Sequence, residues 1–184
     1  MATIDSTYFF GNTHIPQGSA TGVAGSLQLL IDSKEPELLE MLFGYELYKA
    51  YTTGIAAGSP DAKWISLRDG KEYTNRQGYL TKWKGLKFTL GTSKKSLIAN
   101  YVYCEWMSQN ATASTGTGEK VPNNQNAENS TPAQKIVTAW NEMVKWNLEL
   151  FEYLLSNQTD YPEFLNYYGR VPRNIVAPIN TLSI

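Results

Sequence analysis

Residues 131–155 read TPAQKIVTAWNEMVKWNLELFEYLL, and they give the strongest helix signal in the chain. Thr131 suits the N-cap, Pro132 the first helical position, and Gln134 the third position of a capping box. Polar residues recur at alternating steps of four and three at Thr138, Glu142, Lys145, Glu149, Glu152 and Ser156. Apolar residues follow another face at Ile136, Trp140, Met143, Leu150 and Leu154. The pattern predicts an amphipathic helix that forms the spine of the protein.

A different flank of this helix carries two large aromatic residues, Trp146 and Tyr153. A helix that is apolar over more than one stripe usually packs against more than one neighbour. We therefore predict that Trp146 and Tyr153 contact an adjacent copy of the chain or another partner protein.

The composition is that of a globular protein with one core. The chain has 184 residues, 42% of them hydrophobic, and a net charge of −1. Its N-terminus lacks the basic region of a signal peptide, and no run approaches the ~18 apolar residues that span a bilayer. A single cysteine, Cys104, excludes an internal disulfide and a cysteine-based zinc site.

The remaining patterns predict a mainly α fold, a small helical bundle with an irregular Gly-rich middle. One helix is expected from a cap at Asp32 or Ser33 to about Tyr51, and others over 94–109 and 161–168. Residues 27–31 are apolar and fit either a strand or a first helical turn. Within the irregular stretch 54–92, short strands are expected at 64–67 and 86–90, and they form a short β-hairpin.

Three regions follow from composition: an extended N-terminal arm (1–26), a helical domain (27–168) and an extended C-terminal tail (169–184). A long polar loop, 108–130, interrupts the domain, because nothing in it can bury a core. The arm holds an aromatic cluster that docks either on its own core or, as we favour, on a neighbouring copy, and the apolar tail favours docking on a partner surface. The residues predicted to do so are Tyr8, Phe9, Phe10, Ile175, Val176, Ile179, Leu182 and Ile184.

Groups with catalytic potential are scarce in this sequence. The only histidine, His14, lies in the Gly-rich arm, and there is no HExxH, CxxC or paired-histidine spacing. The segment GTGEK (116–120) lacks the spacing of a phosphate-binding loop. We therefore expect no catalytic residues, no cofactor and no metal site, and no enzymatic activity.

Basic residues are concentrated in one segment. Residues 73–104 contain six basic side chains and no acidic one: Arg76, Lys82, Lys84, Lys87, Lys94 and Lys95. Such segregation creates either a solvated basic face or a patch that contacts phosphate or a complementary acidic face. The six residues are candidate contacts for a partner or for DNA in a lumen.

Several short motifs follow one another in a distinctive order along residues 27–168. They are EPELL (35–39), LFGYELY (42–48), WKGL (83–86), IANYVY (98–103), TGTGE (115–119), QK (134–135) and WNEM (140–143). As an ordered set they resemble the motifs of head–tail connector proteins of tailed phages, the adaptor or head-completion proteins that form the neck ring. The similarity is to those of phages of Bacteroidetes-type hosts, including crAss-like phages.

The resemblance implies a structural virion protein without catalytic residues. Such a protein forms a homo-dodecameric ring between the portal protein and a tail or neck component, and double-stranded DNA passes through the lumen. It is made in the host cytoplasm and resides at the head–tail junction of the virion, with no membrane partner. The alternative hypothesis is a small DNA- or protein-binding regulatory module that uses the basic segment 73–104.

Overall fold

The structure is a computed structural model, and it describes residues 2–15, 21–110, 113–115, 118–120, 132–164 and 177–179. The α-helices are α1 (Thr21–Phe43), α2 (Tyr45–Ala56), α3 (Ala62–Asp69), α4 (Leu97–Gln109) and α5 (Pro132–Ser156). Two short 3-10 turns, Ser6–Tyr8 and Gly11–Thr13, precede α1. The fold is mainly helical, which confirms the predicted fold class.

The described strands pair only with their neighbours in sequence, as antiparallel hairpins. They are β1 (Lys71–Thr74) with β2 (Leu80–Trp83), β3 (Lys87–Leu90) with β4 (Ser93–Ser96), and β5 (Ala113–Thr115) with β6 (Gly118–Lys120). The third hairpin lies inside the stretch 108–130 that the sequence predicts to be a polar loop. Most of that stretch lies outside the described residues.

Helices α4 and α5 form the centre of the core. The predicted helix over 131–155 is confirmed, although Thr131, its predicted N-cap, lies outside the described residues. Residues 97–104 of α4 are all buried, whereas α5 keeps an exposed polar face. Among the described helices, α4 is therefore enclosed on every side over its first two turns, and α5 covers it with an amphipathic face.

Helix α1 begins eleven residues before the predicted cap at Asp32. Leu27, Ile31, Leu38 and Leu42 are fully buried and recur at steps of four, seven and four, so they form one apolar stripe. The ambiguous run 27–31 is thus helical, because it continues the stripe that follows. Pro36 lies inside α1 rather than near its start.

Gly44 separates α1 from α2, where the sequence predicts one continuous helix. Its φ of 75° is in the left-handed region, and its N–H donates to Glu40 O at 2.8 Å. Phe43 and Leu47 on either side are fully buried. The chain therefore changes direction at Gly44 while both helices keep an apolar face towards the core.

The predicted strand at 64–67 is wrong, because these residues belong to α3. Trp64 and Leu67 are three residues apart and both buried, so they lie on one helical face. The predicted strand at 86–90 agrees with β3. Residues 94–96, expected to begin the helix over 94–109, belong to β4 instead. Ser96 is the N-cap of α4, and its Oγ accepts from Ile98 N at 3.0 Å.

The predicted extended arm 1–26 is also wrong, since α1 begins at Thr21 and the described residues 2–15 pack on the core. Ile4 and Ile15 are 3% and 2% exposed. Lys94 Nζ donates to Thr7 Oγ1 at 2.7 Å, which fixes this segment to β4. The N-terminal segment is therefore part of the folded domain, because its apolar side chains complete the same core.

One core position carries a polar side chain without a hydrogen bond to any described residue. Asn147 of α5 is fully buried, and neither its Nδ2 nor its Oδ1 has a partner. An unsatisfied buried polar group costs about 1–3 kcal/mol. We expect Asn147→Leu to raise the free energy of unfolding by roughly this amount, measured by urea denaturation.

Asn141, two turns earlier on α5, is the matched control. Its Nδ2 donates to Ile179 O at 2.9 Å, and its Oδ1 accepts from Ile179 N at 2.9 Å. Asn141→Leu removes both bonds, so we expect it to leave stability unchanged or lower it. A fall in the urea midpoint for Asn147→Leu would contradict the assignment of an unsatisfied amide.

Candidate functional site

The aromatic cluster of the N-terminal segment is placed mostly inside the domain. Tyr8 and Phe9 are only 8% and 7% exposed and belong to the main hydrophobic core. The 3-10 turn that holds Tyr8 is capped by Asp5, whose Oδ1 accepts from Thr7 N at 2.8 Å. The prediction that this cluster contacts a neighbouring copy is therefore wrong for Tyr8 and Phe9, and only Phe10 is exposed.

Trp146 and Tyr153 are core residues as well, which corrects their predicted role as partner contacts. Trp146 Nε1 donates to Gly85 O at 2.9 Å. The ring of Tyr153 stacks on that of Trp83, with 5.8 Å between centroids. These two side chains face the irregular middle of the same chain, because that segment folds over the flank of α5.

The C-terminal tail is described only at residues 177–179. This segment lies against α5 of its own chain, since Trp140 Nε1 donates to Ala177 O at 2.8 Å and Ile179 bonds to Asn141. Ile179 thus contacts its own subunit. The other tail residues predicted to contact a partner lie outside the described residues, namely Ile175, Val176, Leu182 and Ile184.

Two members of the basic segment pair with α5. Arg76 Nη2 lies 2.8 Å from Glu152 Oε2, and Lys84 Nζ lies 2.8 Å from Glu149 Oε1. The hydrogen bonds from Arg76 lower the pKa of the Glu152 carboxyl. The polar stripe of α5 therefore receives the β1–β2 hairpin along its C-terminal half, which explains much of the charge segregation within one subunit.

The remaining basic side chains divide into engaged and free ones. Lys87 Nζ lies 3.8 Å from Asp69 Oδ1, and Lys94 Nζ lies 5.4 Å from the Tyr8 ring centroid. Lys82 and Lys95 are exposed and form no ion pair with any described residue. The six residues therefore do not form one free basic patch, and two remain fully available to a partner.

The structure instead exposes large apolar side chains beside the hairpin. Tyr79 and Leu80, at the tip of the β1–β2 hairpin, are 71% and 75% exposed, and Leu148 of α5 is 59% exposed. Leu148 lies one helical turn before Glu152, which holds Arg76 of the same hairpin. We call these three residues the hairpin–helix surface. The sequence analysis did not predict that these residues are exposed. Leu148 could have been recognised, because it is an apolar residue that lies between the polar and apolar stripes of α5.

The groups with catalytic potential do not converge. His14 is exposed. Cys104 is buried, and burial raises the pKa of its thiol to about 12, so the thiol stays protonated and a poor nucleophile near neutral pH. Within the described ranges no cluster of three or more metal-ligating side chains is found. No described helix is long and apolar enough to cross a membrane.

The chain was compared with protein-family models, curated proteins and solved structures. No family model matches it, and no curated protein or solved structure matches it either.

Proposed function

We propose that the chain is a structural subunit of a tailed-phage neck, which forms a ring between the portal protein and the next tail component. The observation that carries the proposal is the hairpin–helix surface. These three large apolar side chains are left exposed in the subunit, and exposed apolar side chains of this size are typical of a surface that another protein covers. A ring subunit needs such a surface, since each copy must bind the next.

The architecture is consistent with this role. The β1–β2 hairpin is held on α5 by the Arg76–Glu152 and Lys84–Glu149 ion pairs, so the apolar tip is presented by a fixed element. A pre-positioned surface loses little conformational entropy on binding. The ordered set of motifs in residues 27–168 supports the same assignment, because it resembles that of connector proteins.

The experiment is assembly of the purified full chain, alone and with a purified portal protein of a tailed phage. Size-exclusion chromatography with light scattering and negative-stain imaging are expected to show a ring. The double variant Leu80→Glu, Leu148→Glu is expected to keep its fold and to remain monomeric, because both side chains are exposed in the subunit. Lys145→Glu, an exposed substitution on the polar stripe of α5, is the control and should still assemble.

Two outcomes contradict the proposal. A wild-type chain that stays monomeric and does not bind the portal protein would remove it, and so would a double variant that assembles as well as the control. Salt-dependent binding of the isolated subunit to duplex DNA would instead favour the regulatory module. That alternative has less support, because four of the six basic side chains in residues 73–104 already contact groups of their own chain.

A further inference from the structure

A cavity of about 220 Å³ lies where the turn Gly11–Thr13, β4, α4 and α5 meet. Ser96 and Asn100 bring the cap and the first turn of α4 to its wall, and Glu142 and Trp146 bring one face of α5. Pockets for drug-sized ligands measure roughly 300–1,000 Å³, so this smaller cavity suits a ligand of few atoms. None of the three residues of the hairpin–helix surface lines it.

The wall contains a buried amide that has no hydrogen-bond partner. Asn100 is 6% exposed, and its side chain forms no hydrogen bond with any described residue. Unlike the amide of Asn147, it is not sealed inside the core, because its polar atoms keep accessible surface where Asn100 lines the cavity. An amide carries both donors and an acceptor, and leaving them unpaired at a buried site is costly. Asn100 is therefore positioned to bind a ligand that both accepts and donates.

Positive charge gathers where the start of α4 meets the cavity. The N-terminus of a helix carries partial positive charge and favours an anion. Lys94 and Lys95 directly precede the N-cap, and both line the cavity. Lys94 is already held by its own chain, since its Nζ donates to Thr7 Oγ1 at 2.7 Å. Lys95 is exposed and forms no ion pair with any described residue, so its ammonium group is free to bind an anionic group.

The wall that α5 provides carries an unpaired negative charge. Glu142 is exposed, lines the cavity and forms no ion pair within the part of the chain that the structure describes. Its carboxylate repels a simple anion and attracts an ammonium group. The cavity thus offers a cation at Lys95, an anion at Glu142 and the amide of Asn100. A ligand that matches all three groups carries a negative and a positive charge close together.

We infer that this cavity binds a zwitterion, a free α-amino acid with an apolar side chain. Its carboxylate accepts from Lys95 Nζ and Asn100 Nδ2, and its ammonium group donates to the Glu142 carboxylate and to Asn100 Oδ1. Its side chain packs against the rings of Tyr8 and Phe10, which also line the cavity. A terminus or a charged side chain of another polypeptide carries only one of the two charges, so the ligand is a free molecule. The inference does not depend on ring assembly.

The test is titration of L-leucine into the full chain, followed by amide chemical shifts in NMR. A small ligand of this size is expected to bind with a dissociation constant on the order of 1 mM. Two ligands keep the same branched stem: 4-methylpentanoate lacks the ammonium group of leucine, and 3-methylbutylammonium lacks its carboxylate. Each should bind at least about fivefold more weakly than leucine, because each loses one charge pair at the mouth of the cavity.

Two variants remove one charge each from an exposed side chain that has no ion-pair partner, so both should keep the fold. Glu142→Gln should weaken leucine binding about fivefold and bind 4-methylpentanoate as well as leucine. Lys95→Gln should weaken leucine binding to a similar degree and bind 3-methylbutylammonium as well as leucine. Glu72→Gln and Lys82→Gln are the matched controls, because both residues are exposed outside the cavity, and they should leave binding unchanged.

Asn100→Ala removes the amide that contacts both charged groups of the ligand. It should weaken leucine binding at least about tenfold, and its urea midpoint is measured beside it. Absence of leucine binding to the wild-type chain overturns the inference. Equal affinity of the wild-type chain for leucine and 4-methylpentanoate overturns it too, and so does unchanged leucine binding in both Lys95→Gln and Glu142→Gln.

Discussion

Trp83→Ala is expected to lower the free energy of unfolding by about 3–5 kcal/mol, the usual cost of truncating a fully buried tryptophan. Trp83 is 1% exposed at the end of β2. Its Nε1 donates to Leu67 O at 2.9 Å, and its ring stacks on Tyr153 with 18° between the planes. One side chain thus joins β2 to α3 and α5, so its loss opens a cavity where three elements meet.

The effect should extend through the aromatic contacts of Tyr153. The Tyr73 ring meets Tyr153 edge-on at 5.1 Å, and the hydroxyls of Tyr153 and Tyr161 lie 3.1 Å apart. Tyr161 Oη also donates to Lys63 O at 2.6 Å. Since a domain is stable by only about 5–15 kcal/mol, the loss of Trp83 removes a large part of the total.

The measurement is urea denaturation followed by far-ultraviolet circular dichroism. Trp83→Phe keeps an aromatic ring but leaves Leu67 O without its donor, so it should lie between wild type and Trp83→Ala. Tyr79→Ala, an exposed ring in the same hairpin, should change stability by less than about 0.5 kcal/mol. Equal urea midpoints for Trp83→Ala and Tyr79→Ala would show that Trp83 does not join these elements.

The sequence predicts α5 and the helical class well because a long amphipathic pattern averages over many residues. In short segments the hydrophobic periodicity is too brief to distinguish a helix from a strand. The spacing of Trp64 and Leu67 fits either one until the elements that pack against them are known. Gly44 is compatible with a helix interior or a helix end, and only its positive φ decides between them. In both cases tertiary packing determines the local structure, and the local sequence pattern carries no information about that packing.

The surface is harder to predict than the helices, because it depends on which distant residues meet. Glu149 and Glu152 are recognisable as members of a polar stripe, but their partners Lys84 and Arg76 are 65 and 76 residues away. For Glu35, the local environment itself was predicted differently. The sequence predicts that Glu35 lies in the first turn of a helix, where a carboxylate interacts favourably with the helix dipole. In the structure α1 begins earlier, at Thr21, and Glu35 is buried in its interior, four residues after Ile31.

Gly85→Ala is expected to cost about 3 kcal/mol or more, because two penalties combine at this position. Gly85 has a φ of 95°, which costs a residue with a Cβ about 1–2 kcal/mol. A Cβ there would also lie 2.6 Å from Arg68 O and from Asp69 C. These are backbone atoms at the end of α3, so they cannot move aside as a flexible side chain would, and overpacking adds roughly 1–3 kcal/mol.

The same close backbone contact also restricts Gly70, on the other side of the contact. Gly70 ends α3 with a φ of 96°, and a Cβ on it would lie 2.5 Å from Trp83 O. The end of α3 and the end of β2 therefore pack backbone against backbone. Gly85 O also accepts from Trp146 Nε1, so a shift at Gly85 would disturb α5 as well.

Gly78→Ala is the matched control for the strain at Gly85. Gly78 has a φ of 86°, but nothing lies within 4 Å of a Cβ built on it, so only the backbone penalty applies. Urea midpoints should therefore fall by a small amount in Gly78→Ala and by much more in Gly85→Ala. The tryptophan fluorescence of the chain should shift only in the latter, because the hydrogen bond from Trp146 Nε1 to Gly85 O is displaced. An equal fall in urea midpoint in the two variants would contradict this prediction. It would mean that the backbone of α3 and β2 moves to accommodate a Cβ at position 85, and that the positive φ alone requires glycine there.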